Sequence, residues 1–195
     1  QVLTISDKRF VKSSAALAVM AGSMQNPEEH LGLAHFLEHM LFLGTQEFPQ
    51  VGDYEDYLNK NGGSHNAYTS IDHTNYFFDV THPAFEESLR RFSRFFVCPT
   101  FDSQYVEREK NAVDSEHQKN LKDDHRREYR FLQMITDPQH PFSLFATGDQ
   151  KTLGQADRDV VMDFYNSHYS SNLMRLVLMS SRSNEELKQL AIDNF

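Results

Sequence analysis

The feature that most constrains this chain is a pair of histidines, His35 and His39, inside an otherwise apolar run from Leu33 to Gly44. If the run is an α-helix, residues four apart lie one turn from each other on the same face. Glu38 lies beside them, three residues after His35. This geometry suits two imidazoles that hold one zinc ion, with a carboxylate next to the remaining coordination position.

A less specific interpretation of the same run is a solvated or hydrogen-bonded histidine pair in a protein core. The chain contains 10 histidines, and short motifs also arise by chance. The apolar neighbours favour the metal, because three ionisable groups among Leu, Phe and Met side chains are costly to bury without a partner. We therefore interpret His35, Glu38 and His39 as part of a metal site.

Composition indicates a globular protein and limits its partners. The 195 residues suffice for a sizeable core, and 39% of them are hydrophobic. The net charge of −9 argues against nucleic acid as the main partner, and weakly against anionic membrane surfaces. A single cysteine, Cys98, allows no intrachain disulfide, which fits either a cytoplasmic or an envelope protein. No run is long enough to span a membrane, and no signal peptide is visible.

Hydrophobic patterning predicts strands and helices in a mixed order. We expect strands near residues 2–5, 14–23, 66–70, 74–81 and 173–179. We expect helices near 32–43, 54–61, 83–96, 160–168 and 184–195, and one long helix or two in sequence over 102–134. Hairpins together with grouped helices predict an α+β domain, with helices on one face of a mixed or antiparallel sheet. We expect one domain over residues 1–195, and both ends look like cuts in a longer multi-domain chain.

A zinc ion held by two histidines needs another protein ligand and one open position. The helix after Asp102 offers two candidates, because Val106, Glu109, Val113 and Glu116 recur on one helical stripe. Carboxylates on an inward stripe are costly unless they are paired or coordinated. Spacing alone leaves open whether Glu109 or Glu116 binds the metal, or whether both are ion-paired with lysine or arginine.

Several stretches of the chain together resemble a known family. Residues 35–39 are the inverted zinc motif H-x-x-E-H, and residues 111–117 read NAVDSEH. Further matching stretches are NAYTS at 66–70, HTNYFFDV at 73–80 and YSSNLM at 169–174. In combination these motifs resemble the N-terminal catalytic domain of the insulinase, or pitrilysin (M16), metallopeptidases. The resemblance runs from about Val2 to the end of the chain.

The resemblance implies a fold and a set of site residues. The fold would be an αβ roll, one of four such domains in a chain whose two halves close around the substrate. His35, His39 and Glu116 would bind one zinc ion. Glu38 would be the general base that takes a proton from a metal-activated water, and Glu109 would be a second acid that supports the site.

The resemblance also implies a substrate and partners. Asn66, Ala67 and Tyr68 would lie on a strand whose edge pairs with the bound peptide, which allows loose side-chain specificity. The activity would be that of a zinc-dependent endopeptidase acting on peptides and small proteins. Its partners would be that substrate and the C-terminal half of the same polypeptide, and homo-oligomers are compatible with it. A bacterial member would be periplasmic and other members cytoplasmic.

Two other interpretations of the site stay open. Some relatives keep this fold as scaffold or partner subunits without the metal, although a scaffold has no reason to retain all four ionisable site residues. A structural zinc site is the second, although such sites are usually closed by four ligands, often cysteines. In the family, the C-terminal half supplies further substrate-binding groups, including a tyrosine and an arginine. We therefore expect the isolated fragment to bind zinc but to cleave peptides poorly.

Overall fold

The computed structural model describes residues 1–195, which form one five-stranded sheet and eight α-helices. The strands are β1 (Val2–Ser6), β2 (Ser13–Val19), β3 (Ser64–Thr69), β4 (Thr74–Val80) and β5 (Met174–Ser180). The helices are α1 (Leu33–Leu41), α2 (Asp53–Lys60), α3 (Phe85–Val97), α4 (Ser103–Asn120), α5 (Asp124–Ile135), α6 (Gln150–Leu153), α7 (Arg158–His168) and α8 (Asn184–Asn194). The α+β class predicted from the sequence is confirmed.

The sheet is mixed and open, with the strand order β1-β5-β2-β4-β3. β1 runs parallel to β5, and the other neighbouring pairs are antiparallel. β3 is an edge strand, so only one of its two edges is hydrogen-bonded within the sheet. The other edge leaves backbone donors and acceptors free for a further strand.

The helices cover one face of the sheet, as predicted. Along β2 and β4 every second residue is buried, including Leu17, Tyr76 and Phe78, while the alternate residues are more exposed. Phe92 of α3 packs against Phe78 with ring centroids 5.2 Å apart. Each such fully buried side chain contributes about 1.5–3 kcal/mol relative to leaving it exposed. The phenylalanines on one face of α3, including Phe85, Phe92 and Phe96, therefore belong to the hydrophobic core.

Helix α1 packs against α4, α7 and β3. Seven of its nine residues are buried, and the exceptions are His35 and His39, which are only partly buried. The helix begins after Gly32, whose φ of 96° is left-handed and suits glycine. The apolar face of α1 thus anchors the helix and leaves its two histidines on the side that faces α4.

The structure also differs from the predicted elements. The segment over residues 102–134 is two helices, because Asp123 begins α5 with its side chain accepting a hydrogen bond from the backbone N–H of Arg126. α6 was not predicted, since it has only four residues. β3 begins at Ser64, two residues earlier than predicted, so the strand also includes His65. No helix combines the length and the apolar composition that crossing a membrane requires.

Candidate metal centre

Helices α1 and α4 bring together the side chains of His35, His39 and Glu116. Oε2 of Glu116 lies 3.5 Å from Nε2 of His35 and 3.6 Å from Nε2 of His39. One ligand atom from each residue lies within 4.8 Å of the others. Two metal bonds of about 2.1 Å at a tetrahedral angle separate their ligand atoms by about 3.4 Å. The donor set and its spacing therefore fit a single zinc ion.

The structure separates the two acids that spacing alone left equivalent. Oε2 of Glu109 lies 3.5 Å from Nδ1 of His39, which is the opposite side of that ring from the three-atom cluster. Its Oε1 lies 2.9 Å from the guanidinium of Arg108. Glu116 has no lysine or arginine within ion-pair distance and contacts both histidines. The structure thus brings Glu116 to both histidines and Glu109 to His39 alone.

Glu38 is buried beside the cluster, with 8% of the residue exposed. The hydroxyl of Thr69 on β3 donates a hydrogen bond of 2.6 Å to its Oε2. Burial raises the pKa of Glu38 above its ordinary value, and the nearby His35 and the Thr69 hydrogen bond partly oppose that rise. Sequence reasoning missed the contact of Thr69. Thr69 could have been identified from the sequence, because it lies two residues after Ala67 and side chains two apart point to the same face of a strand.

The charges around the histidines favour a cation. Burial by itself lowers the pKa of His39, but contacts with Glu109 and Glu116 outweigh it and raise the pKa to about 9. His35 and then His39 lower the pKa of Glu116, because both stabilise its carboxylate. The two carboxylates therefore favour positive charge at His39. A divalent ion held by His35, His39 and Glu116 would supply positive charge at the same place.

The second ring nitrogen of His35 is also held in place. Nδ1 of His35 lies 2.8 Å from the backbone carbonyl oxygen of Thr147. Thr147 belongs to the loop between α5 and α6, which carries none of the predicted site residues. A backbone carbonyl oxygen is common to every residue type, so this partner of His35 could not be predicted from the sequence.

Asn66, Ala67 and Tyr68 lie on β3 and border the same cleft as the metal cluster. The cleft has a volume of about 1410 Å³ and is open to solvent. Asn66 is exposed, Ala67 packs partly against the core, and the side chain of Tyr68 is 49% exposed. His65 stacks on Phe42 at 5.1 Å in the same cleft.

Another wall of the cleft mixes apolar and basic side chains, the basic ones being Arg126, Arg127 and Arg130. This wall is formed by α5 and the loop after it, and its apolar side chains are Tyr129, Phe131, Met134 and Phe145. Phe131 and Met134 are 60% and 69% exposed. The cleft therefore combines the ionisable cluster, a free strand edge and a wall of mixed apolar and basic side chains.

An α+β domain that presents H-x-x-E-H from one helix, with a carboxylate from a second helix nearby, defines the class of the inverted zincins. The family model described as Insulinase (Peptidase family M16) matches residues 1–139. The chain belongs to this insulinase family, and the resemblance inferred from the motifs is confirmed.

Individual relatives agree with the family match. Human insulin-degrading enzyme is 45% identical over 202 aligned residues, covering 100% of this chain and 20% of that protein. A protein of Schizosaccharomyces pombe that is named as a zinc protease is 41% identical, covering 100% of this chain and 21% of its own length. A crystal structure of pitrilysin superposes with a TM-score of 0.94 at 37% identity, covering 100% of this chain and 21% of that one. The chain thus spans about a fifth of the length of these relatives.

Proposed function

We propose that this chain is the zinc-binding domain of an endopeptidase that hydrolyses peptides and small proteins. The observation that carries the proposal is the cluster of His35, His39 and Glu116, with buried Glu38 beside it. Family membership supports peptidase chemistry. The names of the relatives, insulin-degrading enzyme and zinc protease, support a polypeptide substrate and the metal.

In this proposal the three clustered side chains are the zinc ligands. His35 and His39 offer Nε2, and Glu116 offers a carboxylate oxygen that lies near both. Zinc bound there supplies Lewis acidity toward a peptide carbonyl and toward water. Three protein ligands leave a fourth position open, which is the arrangement of catalytic rather than structural zinc sites.

Glu38 is the general base and acid in the proposed reaction. Its carboxylate accepts a proton from the attacking water and then delivers it to the leaving amine. The raised pKa of Glu38 makes its carboxylate a stronger base toward the attacking water. A pKa shifted toward the working pH is also what general acid–base catalysis favours. Thr69 holds one carboxylate oxygen, which limits the rotation of the side chain. Glu109 supports the reaction indirectly by contacting Nδ1 of His39.

The free edge of β3 is the proposed binding site for the substrate backbone. A peptide that adds a strand next to Asn66, Ala67 and Tyr68 passes in front of Glu38, because Thr69 on the same strand contacts that carboxylate. Pairing of this kind uses main-chain hydrogen bonds and is tolerant of side chains. We therefore expect loose specificity for the side chains of the substrate peptide.

The general-base assignment is tested by Glu38→Gln in a longer polypeptide that contains residues 1–195. We expect the variant to retain zinc, measured by elemental analysis, and to lose hydrolysis of an internally quenched peptide. The Thr69 hydroxyl can still donate to the amide oxygen of the new side chain, so the fold should be undisturbed. Normal peptidase activity in this variant would show that the assignment is wrong.

We further propose that residues 1–195 form one domain of a longer polypeptide, whose C-terminal half covers the open cleft. The cleft volume and the exposed side chains of Phe131 and Met134 support this proposal. The isolated chain is then expected to bind zinc but to turn peptides over slowly. Comparing turnover by residues 1–195 with turnover by the longer polypeptide tests the idea, and equal rates would contradict it.

A further inference from the structure

A loop between α5 and α6 reaches across to the first proposed zinc ligand. Its Thr147 carbonyl oxygen lies 2.8 Å from Nδ1 of His35. A carbonyl oxygen only accepts hydrogen bonds, so Nδ1 carries the proton in this contact. The lone pair of the neutral ring is then on Nε2, the atom that faces Glu116. One backbone hydrogen bond thereby selects which nitrogen of His35 is free for a metal.

Two glycines hold the loop against α1. Gly32 precedes α1 with φ 96°, and Gly148 follows Thr147 with φ 86°. A Cβ added to Gly32 would lie 2.3 Å from the Cα of Gly148 and 2.9 Å from the carbonyl carbon of Thr147. Such contacts are too short for real atoms, so a side chain at position 32 displaces the loop. The Thr147 carbonyl therefore reaches His35 only because the two backbones touch.

The other end of the loop is tied to α4, the helix that carries Glu109 and Glu116. The backbone N–H of Gln150 donates to Oδ1 of Asp114 at 3.1 Å, and its side-chain amide donates to Oδ1 of Asn111 at 2.9 Å. The ring of Phe145 lies 4.9 Å from that of His117. The loop therefore bridges the two helices that supply the ligand cluster.

We propose that residues 145–150, the Thr147 loop, are a positioning element of the metal site. The loop fixes the orientation and tautomer of His35. The contact between Gly32 and Gly148 sets the distance between the loop and α1. This inference rests on the proposed function, because it concerns the affinity of the same site for zinc. Groups that hydrogen-bond a metal-binding histidine in this way typically change metal affinity about 10–100-fold.

Gly32→Ala tests the proposal, and Gly52→Ala is its matched control. Gly52 precedes α2 with φ 86°, and a Cβ added there would meet nothing within 4 Å. Both variants place alanine at a left-handed position before a helix, but only Gly32→Ala pushes on the Thr147 loop. By competition with a chelating dye, we expect Gly32→Ala to weaken zinc binding about 10–100-fold and Gly52→Ala to leave it unchanged. Equal zinc affinities in the two variants would overturn the proposal.

A second measurement needs no variant and covers the case in which Gly32→Ala does not fold. Nitrogen NMR of the zinc-loaded, histidine-labelled protein reports which ring nitrogen carries the proton. We expect His35 to be protonated at Nδ1, and protonation at Nε2 would overturn the proposal. If the unmodified protein binds no zinc at all, the proposed function fails. The same spectrum of the metal-free protein then tests the hydrogen bond between His35 and Thr147 independently of zinc. A slowly exchanging proton on Nδ1 of His35 would support this hydrogen bond, and its absence would overturn the proposal.

Discussion

Replacing Glu116 by Gln should abolish most of the stabilisation that zinc gives to this domain. The proposed ligands come from α1 and α4, which are far apart in the sequence, so zinc binds the folded chain and not the unfolded one. At free zinc about 100-fold above its dissociation constant, such binding adds about 2.7 kcal/mol to the free energy of unfolding. In a domain of this size each kcal/mol raises Tm by about 2–4 °C. Zinc should therefore raise the Tm of the unmodified chain by roughly 5–11 °C.

Thermal unfolding of chelator-treated protein, with and without added zinc, measures this shift. Comparing each variant with itself removes any change in metal-free stability that the substitution causes. We expect Glu116→Gln to shift by less than about 2 °C, because the carboxylate that faces both histidines is lost. Glu185→Gln on α8 is the control, since Glu185 is exposed and far from the cluster, and it should keep the full shift.

Glu109→Gln distinguishes a supporting acid from a ligand in the same experiment. A 10–100-fold loss of zinc affinity leaves about 0.4–1.4 kcal/mol of stabilisation at the same zinc concentration. The expected Tm shift is then roughly 1–6 °C. A full-sized shift in Glu116→Gln together with none in Glu109→Gln would refute the assignment and make Glu109 the ligand.

Three further predictions concern the supporting structure. Thr69→Val should lower kcat about 10-fold in a peptidase assay with zinc content unchanged, because the Glu38 carboxylate loses its 2.6 Å hydrogen bond, whereas Thr69→Ser should stay near normal. Tyr76→Phe should lower Tm by about 2–4 °C, since the buried hydroxyl of Tyr169 loses its 2.7 Å partner; an unchanged melting curve would contradict this. Phe92→Ala should cost about 3–5 kcal/mol in urea unfolding, against under about 0.5 kcal/mol for Val97→Ala on the exposed side of α3.

The sequence predicted the elements that have a strong local pattern. The alternation of β4 and the aromatic spacing of α3 follow directly from which face each residue buries. The histidines of α1 were recognisable for the same reason, because ionisable groups interrupt an apolar helix. Each of these patterns lies within a single helix or strand, so a short stretch of sequence is enough to predict it.

The features that could not be predicted depend on how the helices and strands approach one another in the fold. Glu109 and Glu116 share one stripe of α4, and only the way α4 crosses α1 brings Glu116 to both histidines and Glu109 to one. The Thr147 partner of His35 is a backbone atom, so no residue type signals it. The strand boundary of β3 was misplaced by two residues, because Ser64 and His65 have weak strand preference and become ordered through pairing with β4.

The free edge of β3 has a consequence for the behaviour of the domain in solution. Exposed strand edges are templates for pairing with other chains, and proteins commonly protect them with charged residues or proline. β3 reads SHNAYT and contains neither Lys, Arg, Asp, Glu nor Pro. The strand edge that we propose binds peptides is equally open to an unfolded copy of the same chain. We therefore expect concentrated samples to aggregate through this edge, and a bound peptide to act as a solubilising agent.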